Sequence, residues 1–141
     1  MSRFLYDTAV FVYAVGRDHR YRDPCREIVR AARDGRLRGA ASVELVHEYA
    51  HLLLRRHGDR PRAAREARAV WRLCALHEVT IEDLRRAVQL FEAHRLGGRD
   101  ALHAATALNR GIPSILTPDC AFDEVPGLER VDPVDALARL A

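Results

Sequence analysis

Four carboxylates occupy positions in this chain where chemistry is expected. Asp7 directly follows the apolar run Phe4-Leu5-Tyr6, and Asp119 closes Ile115-Leu116-Thr117-Pro118-Asp119. Asp100 opens a segment just behind the Gly97-Gly98 break, and Glu48 interrupts a stretch whose neighbours Leu45, Val46, Tyr49, Leu52 and Leu53 are apolar. An unpaired carboxylate in apolar surroundings is costly, and several of them stay ionised together only when cations neutralise them. Oxygen-only ligands select hard ions, so Mg²⁺ or Mn²⁺ is the cation this set implies. Taken singly, each acid has an ordinary alternative. Asp7 can N-cap a helix from Thr8, Asp100 can be first-turn charge, and Asp119 can be a turn residue. Glu48 can pair with an arginine such as Arg55 or Arg56.

A rival chemistry is written in His47-Glu48-Tyr49-Ala50-His51, an HExxH zinc-hydrolase word with His57 where a third ligand would fall. It ranks low on three counts. Leu54 stands where the chain needs Gly to turn back, Met1 is the only methionine, and the aspartates would be left without a role. If the helix runs on through Leu54, His57 lies ~9 Å along the axis from His51 and off its face.

The elements that must position these residues alternate between strand and helix. Residues 3–6 are expected to form a short buried strand and residues 8–15 a short helix. Residues 21–34 are helical in pattern with Gly35 as the stop. Ser42 is the expected N-cap of a long helix running to about Arg56 and ended by Gly58. Pro61 opens a helix over 61–76, followed by a short strand at 77–79. Thr80-Ile81-Glu82-Asp83 resembles a capping box for a helix to about Arg95. A further helix covers 99–110, closed by Gly111, with strands at 113–116 and 129–131 and a last helix opened by Pro133. Strands alternating with helices indicate an α/β domain with a mainly parallel sheet, in which ligands sit beyond the carboxyl ends of the strands.

With 141 residues, 48% of them hydrophobic, the chain suits one domain, residues 1–141, with one core. No apolar run approaches the ~20 residues of a membrane span, and no secretory leader is expected at the N-terminus. Cys25, Cys74 and Cys120 are scattered without a CxxC pair, which points to a reducing, cytoplasmic setting. The formal charge is +3 and every cation is arginine. The lack of lysine excludes Schiff-base chemistry and a Walker-type phosphate loop. Arginine binds phosphate well, although most of these side chains are expected to be solvated helix faces.

Taken together, the motifs resemble the PIN-domain family, and within it the VapC-type toxins of VapBC toxin–antitoxin systems. Leu5-Tyr6-Asp7-Thr8-Ala9-Val10 is similar to the family's first acidic motif, and Ser42-Val43-Glu44-Leu45-Val46-His47-Glu48-Tyr49 to the helix carrying the second. Residues Arg99 to Leu108 resemble the third motif, Ile115 to Asp119 the fourth, and Phe122 to Leu128 the segment after it. The match runs through the whole chain in the family's order. One departure stands out: many members carry another acid two residues after the fourth-motif Asp, where this chain has Ala121.

The resemblance implies a three-layer α/β/α fold and metal-dependent endonucleolytic cleavage of RNA. Catalysis would fall to Asp7, Glu48, Asp100 and Asp119, with Mg²⁺ or Mn²⁺ held by Asp7, Asp100 and Asp119. Thr117, Asp123 and Arg99 are candidate helpers. It also implies an RNA substrate, a cognate antitoxin protein that blocks the acidic site, and a homodimer. Because of Ala121, a non-catalytic binding module that keeps the fold is the alternative.

Overall fold

The computed structural model describes residues 2–141, the range to which every structural statement below applies. The elements run β1 (Phe4–Tyr6), α1 (Thr8–Ala14), α2 (Arg22–Arg33), β2 (Gly39–Ser42), α3 (Val43–His57), α4 (Arg60–Leu73) and β3 (Cys74–His77). There follow α5 (Ile81–Ala93), α6 (Gly98–Asn109), β4 (Ser114–Leu116), β5 (Glu129–Val131) and α7 (Ala136–Leu140), with 3-10 turns at Cys120–Glu124 and Pro133–Asp135. All five strands are parallel, in the order β3-β2-β1-β4-β5. From β1 the order steps to β2 on one side and to β4 on the other, so the switch point of the topology lies between β1 and β4.

Strand alternation divides the core into two layers of packing. Phe4, Tyr6, Ala41, Leu116 and Val131 pack with α1, α2, α3, α4 and α7 on one face. Leu5, Ala40 and Ile115 pack with α5 and α6 on the other. Each large side chain buried this way contributes roughly 1.5–3 kcal/mol. The result is the expected α/β/α layering with an entirely parallel sheet.

Local signals act as expected at most boundaries. The Ser42 hydroxyl accepts from the Leu45 N–H at 3.3 Å, and Gly58 closes α3 at φ 69. Thr80 and Asp83 cap each other reciprocally. Asp83 is also 1% exposed and accepts from both Arg110 guanidinium nitrogens, at 2.7 and 2.8 Å, and from Asn109 at 2.9 Å. That network fastens the start of α5 to the end of α6.

Three boundaries differ from the sequence expectation. β2 was given no strand; its residues Gly-Ala-Ala-Ser carry neither alternation nor β-branched side chains, yet all four are buried. Gly39 is required there because a Cβ would lie 2.5 Å from ring atoms of Phe4 and Tyr6. The helix expected to reach residue 76 ends at Leu73, and the strand begins at Cys74 rather than His77. Pairing with β2, Gly39 against Cys74 through Ser42 against His77, draws those residues out of the helix. Finally, Pro133 opens a 3-10 turn, and the helix proper starts at Ala136.

Candidate active site

The site lies at the carboxyl ends of β1 and β4. Tyr6 pairs with Leu116 across these strands, so the next residues, Asp7 and Thr117, come out side by side. The Asp7 N–H extends the ladder to the Leu116 carbonyl at 3.1 Å. Asp7 occupies the N-cap position of α1, but its side chain makes no cap hydrogen bond. Instead its Oδ2 accepts from the Thr117 hydroxyl at 2.7 Å. The ordinary capping role therefore does not account for this acid. Asp7 is 5% exposed and Thr117 is fully buried.

Glu48 projects from the middle of α3 toward the same point. Its Oε1 takes a short hydrogen bond from the Thr8 hydroxyl and lies 3.5 Å from His103 Nε2. Its Oε2 lies 3.5 Å from Arg99 Nη1. Arg55 and Arg56, on Glu48's own helix, do not partner it. Asp100 stands in the first turn of α6. His103 follows Asp100 by three residues and Arg99 by four, the spacings at which helix side chains are neighbours. Asp119 caps the 3-10 turn, its Oδ1 accepting from the Ala121 N–H at 2.9 Å, while its own N–H reaches Thr117 Oγ1 at 3.1 Å. Asp7, Thr8, Glu48, Asp100, Pro118 and Asp119 line one open groove.

The electrostatics follow from crowding these acids together. Burial pushes the Asp7 carboxyl above its ordinary value, and the Glu48 charge adds to this. Burial also raises Asp100, to about 6, with repulsion from Asp7, Asp119 and Glu48 contributing. Glu48 behaves in the opposite way. Burial alone would raise it, but hydrogen bonds from His103 and Thr8 and the charges of His103 and Arg99 outweigh burial and hold it low. His103 is the counterpart. It is fully buried, which alone would discharge it, yet its bond to Glu48 and the charges of Asp7, Glu48 and Asp100 raise its proton affinity. Its other ring nitrogen, Nδ1, lies 3.2 Å from Ser42 Oγ.

His103 is thus a site residue to which sequence reasoning gave no role. Its three-residue spacing from Asp100 was the available signal. Thr8, which bonds to Glu48, was given no role, and Ser42, which lies against the imidazole, only that of a helix cap. Asp123 stands apart from the groove. It pairs with Arg130 at 2.9 Å, and Arg130 in turn donates to the Thr117 carbonyl at 3.3 Å. Arg99 is half-exposed and bridges Glu48 and Glu44 rather than projecting freely.

Among the described residues, no three His, Cys, Asp or Glu side chains already converge on one point as metal ligands. Asp7 is turned onto Thr117, Glu48 onto Thr8 and His103, and Asp119 onto a backbone N–H. The donor chemistry nevertheless fits a hard divalent ion. The set is all oxygen, and Asp7 and Asp100 carry mutual repulsion that a cation would relieve. The zinc-hydrolase word has no such support. α3 runs unbroken to His57, whose Nδ1 takes the Asp59 N–H at 3.3 Å. The exposed His47 and His51 contact each other, Nε2 to Nε2, at 3.2 Å.

Known proteins are similar to this chain in sequence and in shape. The PIN domain family matches residues 4–128. The chain is 35% identical over 130 residues to Ribonuclease VapC7 of Mycobacterium tuberculosis, covering 90% of this chain and 89% of that one. It is 36% identical over 116 residues to Ribonuclease VapC23 of the same species, covering 80% and 90%. Among solved structures, Mycobacterium tuberculosis VapC20, a sarcin–ricin loop cleaving toxin, superposes with a TM-score of 0.71 at 21% identity, covering 89% of this chain and 97% of that one. The Rickettsia felis VapBC2 structure, bound to a DNA fragment from its promoter, gives 0.68 at 14% identity over 92% and 97%. The two structural matches speak for the fold; the family match and the sequence identities place the chain in the PIN-domain family, among the VapC-type proteins.

Proposed function

We propose that this protein is a divalent-metal-dependent endoribonuclease, the toxin of a toxin–antitoxin pair. The observation that carries the reading is the juxtaposition of Asp7 and Asp100 at the switch point of the sheet, each held above its ordinary proton affinity by burial and by neighbouring carboxylates. A fold has no structural need for such an arrangement, and it destabilises the protein unless a cation is bound. Its sequence relatives are named ribonucleases.

Asp7, Asp100 and Asp119 would hold Mg²⁺ or Mn²⁺, which supplies Lewis acidity toward water and toward a phosphate oxygen. Thr117 fixes the Asp7 carboxylate through its hydroxyl. Glu48 stays ionised at neutral pH because His103, Thr8 and Arg99 all favour its anion, so it can accept a hydrogen bond from the attacking water and orient it. The water oxygen forms the new bond to phosphorus, the bond to the 3′ oxygen breaks, and that oxygen takes a proton, leaving a 5′-phosphate and a 3′-hydroxyl. Ala121 donates only its N–H, to Asp119, so the fourth corner rests on one carboxylate. Arg99 lies beside this point to meet the RNA backbone. A cognate antitoxin that covers the groove and a homodimeric assembly complete the reading; solved structures of the same fold include toxin–antitoxin complexes.

The test is cleavage of a mixed structured RNA pool by purified, partner-free protein. Wild type and Asp100→Asn are compared with Mg²⁺, Mn²⁺ or EDTA. Cleavage only by wild type and only with metal is expected. Cleavage that survives both EDTA and the substitution would refute the assignment of the site.

A further inference from the structure

The acidic groove does not end at the carboxylates. Ala9, Val12 and Tyr13 recur at helical spacing on the face of α1 that its buried residues leave open, and they floor the groove beyond Asp7. Val12 and Tyr13 also floor a second open hollow, bounded by Gly16, Arg17, His19 and Arg56. The two hollows share Val12 and Tyr13, and Tyr13 lies ~9 Å along the helix axis from Asp7.

The second hollow is bordered by aromatic and basic side chains. The Tyr13 and His19 rings stack, with centroids 4.7 Å apart and planes 26° apart. Tyr21 joins them at 5.6 Å from Tyr13 and 5.9 Å from His19. The Arg20 guanidinium lies over the Tyr21 ring at 4.7 Å. One hydrogen bond to a residue outside the stack and one within it hold the group in place. The Tyr21 hydroxyl donates to Asp132 at 2.7 Å, and the Tyr21 N–H donates to His19 Nδ1 at 3.2 Å. Arg56 reaches across from the last turn of α3, its Nη1 3.6 Å from where a Cβ on Gly16 would stand. Asp18 is the one acid in the second hollow, and it lies 3.6 Å from Arg22.

Tyr13 and Tyr21 are partly buried and pack against the core, and the rest of the cluster lies outside it. His19, Arg17, Arg20 and Arg56 are exposed. Stacked flat rings bordered by guanidinium groups are how proteins hold unpaired bases and the phosphates between them, with little regard for sequence. A duplex presents its bases already stacked and offers such a surface only its backbone. We infer that Tyr13, His19 and Tyr21, with Arg17, Arg20 and Arg56, form a subsite that stacks an unpaired nucleobase of single-stranded RNA next to the cleavage site. The inference rests on the nuclease reading for its substrate, and it adds that a base near the cleaved bond is held by stacking on these rings.

The experiment uses the Asp100→Asn protein in EDTA, so that binding is measured without cutting. Fluorescence anisotropy follows labelled single-stranded oligoadenosine, an oligomer of equal length lacking its bases, and an RNA duplex. His19→Ala is expected to weaken binding of the single strand about tenfold, the loss of one base stack. His19→Phe, which keeps a flat ring, retains the affinity. The loss disappears on the baseless oligomer, because the ring there has nothing to stack on. Arg56→Ala weakens all three ligands and flattens the salt dependence. Equal binding by the parent and His19→Ala overturns the inference, and so does an equal loss on intact and baseless strands. Cleavage by the wild type with Mg²⁺, measured in parallel, keeps the two readings separate. Cleavage without any His19 dependence of binding removes the subsite and leaves the nuclease. Binding that depends on His19 in a protein that cuts nothing keeps the subsite and removes the nuclease.

Discussion

Neutralising Asp100 should make the metal-free protein more stable while abolishing its response to metal. The Asp100 carboxyl is raised from 3.8 to about 6 by burial and by Asp7, Asp119 and Glu48. At ~1.4 kcal/mol per tenfold change in proton affinity, a shift of that size corresponds to ~3 kcal/mol against the ionised form. The carboxyl is partly open to the groove, so screening reduces this to ~1–2 kcal/mol. The sign follows from linkage. A folded value above the unfolded one means that the folded protein binds the proton more tightly, so stability falls as pH rises from about 4 to about 6, and the full cost is present above that. Asp100→Asn removes the cost at pH 7 and changes little at pH 4. For a domain of this size the gain is a rise in Tm of ~3–8 °C in EDTA. Adding Mg²⁺ or Mn²⁺ should raise the Tm of the wild type by mass action and leave the variant nearly unmoved. The assay is thermal unfolding at several pH values between 4 and 8, with EDTA or metal. A variant less stable than wild type in EDTA at neutral pH would refute the electrostatic account of the site, since the repulsion it invokes would not exist.

Other outcomes follow from the same structure. Asp83→Ala removes the acceptor of two Arg110 bonds and half of the α5 capping box. It should cost ~3–5 kcal/mol in denaturant unfolding, the scale of a broken buried pair. The Asp83 carboxyl is held well below its ordinary value by Arg110, Thr80 and Asn109 against the effect of burial. The difference from wild type should therefore be constant at neutral pH and shrink only as pH drops below about 4. Gly39→Ala drives a methyl group into the Phe4 and Tyr6 rings and should destabilise by ~1–3 kcal/mol, the usual cost of overpacking. An unchanged denaturation midpoint would show that these rings can move aside. His103→Asn removes the buried imidazole whose proton affinity Glu48, Asp7 and Asp100 raise. In the cleavage assay the acid limb of the rate–pH profile should move to higher pH, because Glu48 loses the group that holds it low. A profile lowered in height but unmoved in pH would assign His103 to structure alone.

Much of this protein was legible residue by residue. The Ser42 and Thr80 caps, the glycine stops and the alternation of strand with helix are local signals, set by backbone preference and hydrophobic period, whereas Asp7, Glu48, Asp100 and Asp119 stood out only as a set, through motifs that resemble a known family. What tertiary structure decided is what depends on neighbours distant in sequence. β2 exists because Ala40 and Ala41 are sandwiched between two helical layers, although four small residues have no strand signature of their own. Asp7 is turned from helix capping to Thr117 because parallel pairing of β1 with β4 sets them side by side. His103 gains proton affinity, and Glu48 loses it, because α3 and α6 bring them together in a buried place, where proton affinity depends on charges a few ångströms away as well as on residue type. The stacking of Tyr13, His19 and Tyr21 beside Arg56 likewise required α1, the loop after it and the end of α3 to meet. Proton affinity and ring packing are properties of surroundings, and those surroundings exist only once the chain has folded.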